Sequence, residues 1–188
     1  MDYDKTLQKH IRCKKGDVAK YVLIPGDPGR AERIAAKFDQ AEKIAVNREY
    51  TVFTGEKDGV ELTVCSTGIG GPSAAIAMEE LAKLGADTFI RVGSAGGRKE
   101  EMPVGSVAVI NSAYRGEGTS FEYLAANYPA VADDTITDAL KKSAADLGED
   151  VYIGGSYTRD AYYMQDHELN EELLNTQMIV SEMECATL

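Results

Sequence analysis

The chain has 188 residues, enough for one domain with a sizeable core, and its 44% hydrophobic and 27% charged residues are an ordinary globular balance. A net charge of −11 excludes a surface built for nucleic acid or an anionic membrane, which needs lysine and arginine in excess. Three cysteines (Cys13, Cys65 and Cys185) without C-x-x-C spacing, and no apolar stretch long enough for a bilayer, argue against a disulfide framework, a zinc site or a membrane span; a reduced cytoplasm is the expected setting.

Lys5, Lys9, His10 and Arg12 interrupt any apolar leader before the first strand. Tyr21-Val22-Leu23-Ile24 reads as a buried strand that stops at Pro25-Gly26-Asp27-Pro28. Asp27 is a helix N-cap and Pro28 a first helical residue, with Ile34, Ala35 and Phe38 on the apolar face that follows. Alternation from Tyr50 to Phe53 and from Val60 to Cys65, joined through Asp58-Gly59, predicts a hairpin. After Thr67-Gly68-Ile69-Gly70-Gly71-Pro72-Ser73, a helix carries Ala74, Ala77, Met78, Leu81 and Leu84 on one side and stops at Gly85.

Residues 88–92 form a strand running into Gly93-Ser94-Ala95-Gly96-Gly97, and 104–110 form another. Residues 134–147 are helical and close at Gly148, 151–153 are extended, 168–174 form a helix and 178–180 a strand, with a last helix starting at Glu182. No repeat or linker interrupts this order. It implies a single α/β domain over residues 1–188 with helices covering a central mixed sheet. The ending at Ala186-Thr187-Leu188 lies in an apolar run without a helix stop and reads as truncated.

Three glycine-rich turns follow three strands, at 26–30, 68–71 and 93–97, where ligands gather in an open α/β sheet. Glycine lets backbone N–H groups approach an anion, and a following helix N-terminus adds partial positive charge. Arg30 and Arg91 accompany two of these turns and Arg48 stands beside Glu49; guanidinium forks match phosphate oxygens. None of the turns fits the P-loop pattern or the dinucleotide fingerprint, so spacing alone points to an anion site. Glu182-Met183-Glu184 is read either as carboxylates favouring a helix N-terminus or as a clamp for neighbouring sugar hydroxyls. Tyr162 and Tyr163 are read as core residues or as a stacking face, and His10 as structural, solvated or catalytic.

Taken together, seven ordered segments resemble the nucleoside phosphorylase family of uridine and purine phosphorylases. They are residues 24–30, Asn47-Arg48-Glu49-Tyr50, 65–73, 89–96, 128–133, Asp160-Ala161-Tyr162-Tyr163 and 182–188. The resemblance covers essentially the whole chain and is closest to the uridine branch. It implies a three-layer αβα fold of nucleoside phosphorylase type. It implies phosphorolysis of a nucleoside, uridine favoured, to free base and ribose 1-phosphate, with inorganic phosphate as co-substrate and no cofactor required.

At matching positions the resemblance assigns phosphate to Gly26, Arg30, Arg48, Arg91 and Ser94. It assigns ribose to His10, Met183 and Glu184, and the base to Gly96, Tyr162, Gln165 and Glu182. Arg91 and Glu184 are then the catalytic pair. Glu49, Ile69 and Ser73 match positions that bind a monovalent cation, K+, at a dimer interface. A homo-oligomer is implied, a hexamer built as a trimer of dimers, with Arg48 and His10 lent across each dimer.

Two departures stand out. The uridine branch carries Gln-x-Arg after the stacking aromatic, whereas here Met164-Gln165-Asp166-His167-Glu168 places the glutamine one position early and no arginine follows. Relatives of this type also continue beyond Leu188, through a segment carrying residues beside the base. Purine nucleoside or methylthioadenosine phosphorolysis is therefore an alternative, and a non-catalytic nucleoside-binding remnant a second. A nucleosidase on the same fold uses water and does not need the three arginines. A dinucleotide-dependent oxidoreductase lacks its fingerprint.

Overall fold

A computed structural model describes residues 6–164 and 166–188 of the chain. Two compact units divide it, one ending at Gly93 and the other spanning Ser94–Leu188. The central sheet expected from the sequence is realised as two five-stranded mixed sheets.

The first unit contains β1 (Tyr21–Ile24), α1 (Pro28–Ala35), β2 (Gln40–Asn47), β3 (Tyr50–Lys57), β4 (Val60–Cys65), α2 (Gly71–Lys83) and β5 (Thr88–Arg91). Its sheet runs β2-β3-β4-β1-β5, with β4, β1 and β5 parallel and β2-β3-β4 antiparallel. Strand alternation sorts the side chains onto two faces. Val22, Ile24, Val52 and Cys65 join Ala77 and Leu81 of α2, together with Ile11 and Cys13 of the leading segment. Phe53, Val64 and Leu23 instead meet Ala31, Ala35 and Ile34 of α1. Helices therefore cover both faces of this sheet. Each fully buried aliphatic side chain contributes about 1.5–3 kcal/mol.

Local signals explain the boundaries. Asp27 accepts the Gly29 and Arg30 amides at 3.1 and 2.8 Å and starts α1 at Pro28. Lys57 pairs with Val60 across Asp58-Gly59, as the hairpin signal requires. The strand β2 was not anticipated. It is a largely exposed edge strand, so its sequence carries no strong apolar alternation.

The second unit contains β6 (Gly96–Gly97), β7 (Val107–Gly116), α3 (Thr119–Tyr123), β8 (Ala130–Val131), α4 (Asp134–Asp146), β9 (Val151–Arg159), α5 (His167–Leu174) and β10 (Met178–Glu182). The order is β6-β10-β9-β7-β8, a parallel β10-β9-β7 centre flanked by two antiparallel edges. Asp133 and Asp166 cap α4 and α5 through the Ile136 and Leu169 amides, both at 3.0 Å. The strand expected at 104–110 begins later: Val104 is fully exposed in a turn, and β7 runs on through Gly116. Residues 183–187 form turns, and the Leu188 amide donates to the Glu184 carbonyl at 3.3 Å as in a first helical turn. Among the described residues no helix is long and apolar enough to cross a membrane.

Candidate active site

Beyond its last paired residue, β1 stays zipped to the segment after β4. The Thr67 and Gly68 amides donate to the Pro25 and Gly26 carbonyls, each at 2.9 Å. This brings Gly26 so close to Gly68 that a Cβ on Gly26 would lie 2.9 Å from the Gly68 carbonyl oxygen and 3.5 Å from Nη2 of Arg91. Only glycine fits there. Arg91 ends β5, and its Nη1 reaches the Ile24 carbonyl at 3.5 Å and Thr67 Oγ1 at 3.4 Å. Arg30, in the first turn of α1, sends Nη1 to the Val92 carbonyl at 3.2 Å. Gly26, Arg30 and Arg91 thus meet at the carboxyl ends of β1 and β5, where ligands of parallel sheets bind.

One expected contribution is missing from this corner. The α1 amides of Gly29 and Arg30 were candidates for anion binding, but the Asp27 carboxylate takes both. An anion here would meet guanidinium groups and the bare backbone at Gly26 rather than the capped helix end. Ser94 is exposed and opens the second unit, as the sequence neighbour of Gly93.

Arg48 and Glu49 form the two-residue connection between β2 and β3, with Asn47 paired to Tyr50. Arg48 is exposed and adopts φ 54°, the left-handed region that costs a branched-out L-residue about 1–2 kcal/mol. The turn is fastened to the 66–73 segment. Ser66 Oγ donates to the Glu49 carbonyl at 2.6 Å and accepts the Thr51 amide at 2.8 Å, while Tyr50 Oη donates to the Ser73 carbonyl at 3.1 Å. Gly68, at φ 69°, leaves just enough room for Glu49: a Cβ there would sit 2.9 Å from Glu49 Cβ and Cγ and 3.6 Å from Ser73 Oγ. Ser73 Oγ in turn lies 3.0 Å from the Ile69 carbonyl. The three residues matched to a cation position, Glu49, Ile69 and Ser73, are therefore neighbours. Burial, and then Glu49, push the Tyr50 phenol above its ordinary value, so it is a neutral donor here.

His10 is tightly held. Its Nδ1 lies 2.7 Å from Glu80 Oε1, its amide donates to the same carboxylate at 2.9 Å, and the Ile11 amide donates at 2.9 Å. Asn47 Nδ2 donates to the His10 carbonyl at 2.6 Å. Sequence reasoning missed Glu80. The available signal was a carboxylate on the apolar face of a helix, one turn from Ala77 and beside Leu81.

In the second unit, the Glu182 carboxylate is committed to four donors. Oε1 accepts Ser156 Oγ at 3.0 Å and Thr158 Oγ1 at 2.5 Å; Oε2 accepts the Glu184 and Cys185 amides at 2.6 and 2.7 Å. This corresponds to the capping reading of that glutamate, and its oxygens are spent on scaffolding rather than offered to a base. The capped turn opens helically, with the Thr187 and Leu188 amides donating to the Glu184 carbonyl at 2.9 and 3.3 Å. Thr158 Oγ1 accepts the Ala186 amide at 3.0 Å and pins the same turn. Glu184 is 4% exposed and Met183 half-buried on it.

The aromatic pair is exposed rather than core. Tyr162 and Tyr163 pack edge to face at 5.0 Å and are 63% and 93% accessible. Their turn is tied down at both ends. Arg159 Nη1 donates to the Met164 carbonyl at 3.0 Å, and Asp160 Oδ2 accepts the Gly118 amide at 2.9 Å. Gly96 is exposed on β6, which pairs with Ser181 of β10. Gln165 lies outside the described residues. Arg98 was also unanticipated: its two Nη groups donate to Asn170, and its guanidinium lies 5.6 Å from the Tyr157 ring centre.

Comparison with known proteins follows the same outline. A model of the phosphorylase superfamily matches residues 20–188. The chain is 44% identical to a uridine phosphorylase of Thermococcus kodakarensis, over 98% of this chain and 72% of that protein. It is 42% identical to a guanosine phosphorylase of Halorubrum lacusprofundi, over 96% of this chain and 75% of that relative. The crystal structure of uridine phosphorylase from Vibrio fischeri superposes with a TM-score of 0.95 at 35% identity, covering 98% of this chain and 78% of that one.

Proposed function

This chain belongs to the phosphorylase superfamily, and from that premise we propose that it cleaves nucleosides with inorganic phosphate, uridine first among them, yielding free base and ribose 1-phosphate. The observation that carries the reading is the meeting of Gly26, Arg30 and Arg91 at the carboxyl ends of β1 and β5.

The chemistry suits these groups. A phosphate oxygen bonds to C1′ as the C1′–N bond breaks, and the bonding pair leaves with the base, which is then protonated. C1′ becomes oxocarbenium-like on the way, as in glycoside cleavage. Arg30 and Arg91, with Ser94, hold the anion in the orientation that this attack needs, which removes much of the entropy cost of a two-substrate step. Arg48 completes the phosphate set from a neighbouring subunit, and His10 meets the ribose 5′ end in the same manner. Met183 and Glu184 take the sugar, Glu184 accepting from its 2′- and 3′-hydroxyls.

Tyr162 stacks on the base, with Gly96 and Gln165 at its edge, and its wide exposure suits that role. The resemblance assigns Glu182 to the base; its four internal donors support instead a role in holding the turn that carries Met183 and Glu184. Glu49, Ile69 and Ser73 are the location for a monovalent cation, and the working assembly is a hexamer of paired subunits.

A purine nucleoside is the second reading. Two observations favour it: the guanosine phosphorylase relative, and the absence of an arginine soon after Tyr162. Base release measured with and without phosphate over uridine, thymidine, inosine, adenosine and methylthioadenosine tests both. Phosphate-dependent release from uridine is expected; release that ignores phosphate would mean a hydrolase.

A further inference from the structure

Glu80 is a 7% exposed carboxylate on α2, a helix whose neighbouring residues pack into the core. It is held in place by donors 69 and 70 residues away: the His10 amide, the Ile11 amide and His10 Nδ1. Burial pushes its carboxyl up, but the Ile11 and His10 donors outweigh that and leave it below its ordinary value. The group is therefore an ionised acceptor with no proton of its own to give. The hydrogen between it and the imidazole must then sit on Nδ1. A neutral His10 is left with Nε2 as a lone-pair acceptor. The Asn47 bond to the His10 carbonyl and the edge contact with Tyr50, 6.5 Å between ring centres, fix the direction of the ring.

We propose that Glu80 is a positioning residue for substrate recognition: it holds His10 in the Nδ1–H form, so that Nε2 accepts from the 5′-hydroxyl of a nucleoside. This rests on the reading above that His10 meets the ribose 5′ end. It adds a selectivity that the assignment of His10 alone does not contain. An Nε2 acceptor rewards a 5′ group that can donate, and so favours ordinary nucleosides over 5′-O-methyl or 5′-methylthio ones, which can only accept.

Glu80→Gln separates tautomer from fold. The glutamine carbonyl oxygen can still accept the two backbone amides. Its NH2 then faces Nδ1, which must become the acceptor, and the ring proton moves to Nε2.

The chain contains only two histidines, so 15N-histidine spectra at about pH 8, with His10→Ala as the assignment control, report the tautomer directly. The wild type is expected to show Nδ1–H at His10 and Glu80→Gln to show Nε2–H. The preference in kcat/KM for uridine over 5′-O-methyluridine, whose ether oxygen can accept but not donate, with inosine and 5′-O-methylinosine in parallel, is expected to fall about fivefold to tenfold in Glu80→Gln, the scale of one hydrogen bond. His10→Ala should abolish that preference, and adding Glu80→Gln to it should change nothing further.

If His10→Ala leaves the preference intact, the assignment of His10 fails. If His10→Ala removes it while Glu80→Gln keeps both preference and tautomer, the role of Glu80 is overturned. Should Glu80→Gln fail to fold, the wild-type spectrum decides, because an Nε2–H signal for His10 overturns the proposal by itself.

Discussion

Replacing Arg91 by alanine is the sharpest perturbation of the phosphate corner. Nη1 is turned toward its own chain, 3.5 Å from the Ile24 carbonyl and 3.4 Å from Thr67 Oγ1, while Nη2 lies toward Gly26, where no side chain intervenes. The two internal bonds are long. Their loss should cost the fold about 1 kcal/mol. The catalytic loss should be larger. One or two charge-assisted bonds to phosphate, strengthened as charge moves in the transition state, amount to about 2–4 kcal/mol, or about 30- to 900-fold in kcat/KM. Arg91→Lys keeps the charge but loses the planar fork, and should fall between wild type and alanine. Initial rates against phosphate concentration, with circular dichroism melts on the same samples, measure both quantities. Phosphorolysis unchanged in a folded Arg91→Ala protein would refute the assignment of this corner to phosphate.

Other expectations follow from the same geometry. Gly26→Ala puts a methyl 2.9 Å from the Gly68 carbonyl oxygen and should destabilise by about 1–3 kcal/mol while raising the KM for phosphate, read from melts and saturation curves. Arg48→Gly relieves a left-handed backbone and should hold or raise stability, by up to about 1 kcal/mol, while turnover falls. Because Glu80 titrates below its ordinary 4.5 when folded, its contribution is full above about pH 4.5 and vanishes as pH falls through the folded value. The wild-type melting temperature should therefore drop more steeply than that of Glu80→Gln between about pH 5 and pH 3, and parallel curves would contradict that linkage.

Local chemistry was the legible part of the sequence. Asp27-Pro28 announces α1, Asp58-Gly59 the β3–β4 hairpin, and Gly85 and Gly148 the ends of α2 and α4, because caps and turns are decided by a few adjacent residues. The division into two sheets was not legible. Alternation tells which face a residue takes, not which strand it pairs with. The edge strand β2 and the two-residue strands β6 and β8 are too polar or too short to leave a period.

At the candidate site, the convergence of Arg30 and Arg91 follows from their positions after parallel strands. The roles of Asp27, Glu80 and Glu182 do not, since each depends on which amides and hydroxyls the fold brings within reach. Asp27 removes two amides from any anion, Glu80 reaches back to a segment far away in sequence, and Glu182 ties the turn after β10 to the hydroxyls of β9.

The apex of the β2–β3 hairpin has a bearing on how this protein is selected. Arg48 sits exposed in a backbone conformation that glycine or asparagine adopts with less strain, and an exposed tip offers little packing in return. Pressure for stability alone would replace it. Tolerating the strain makes sense if the guanidinium serves phosphate as proposed, so variants recovered by screening for heat resistance alone should drift toward small residues at this position and lose phosphorolysis as they do.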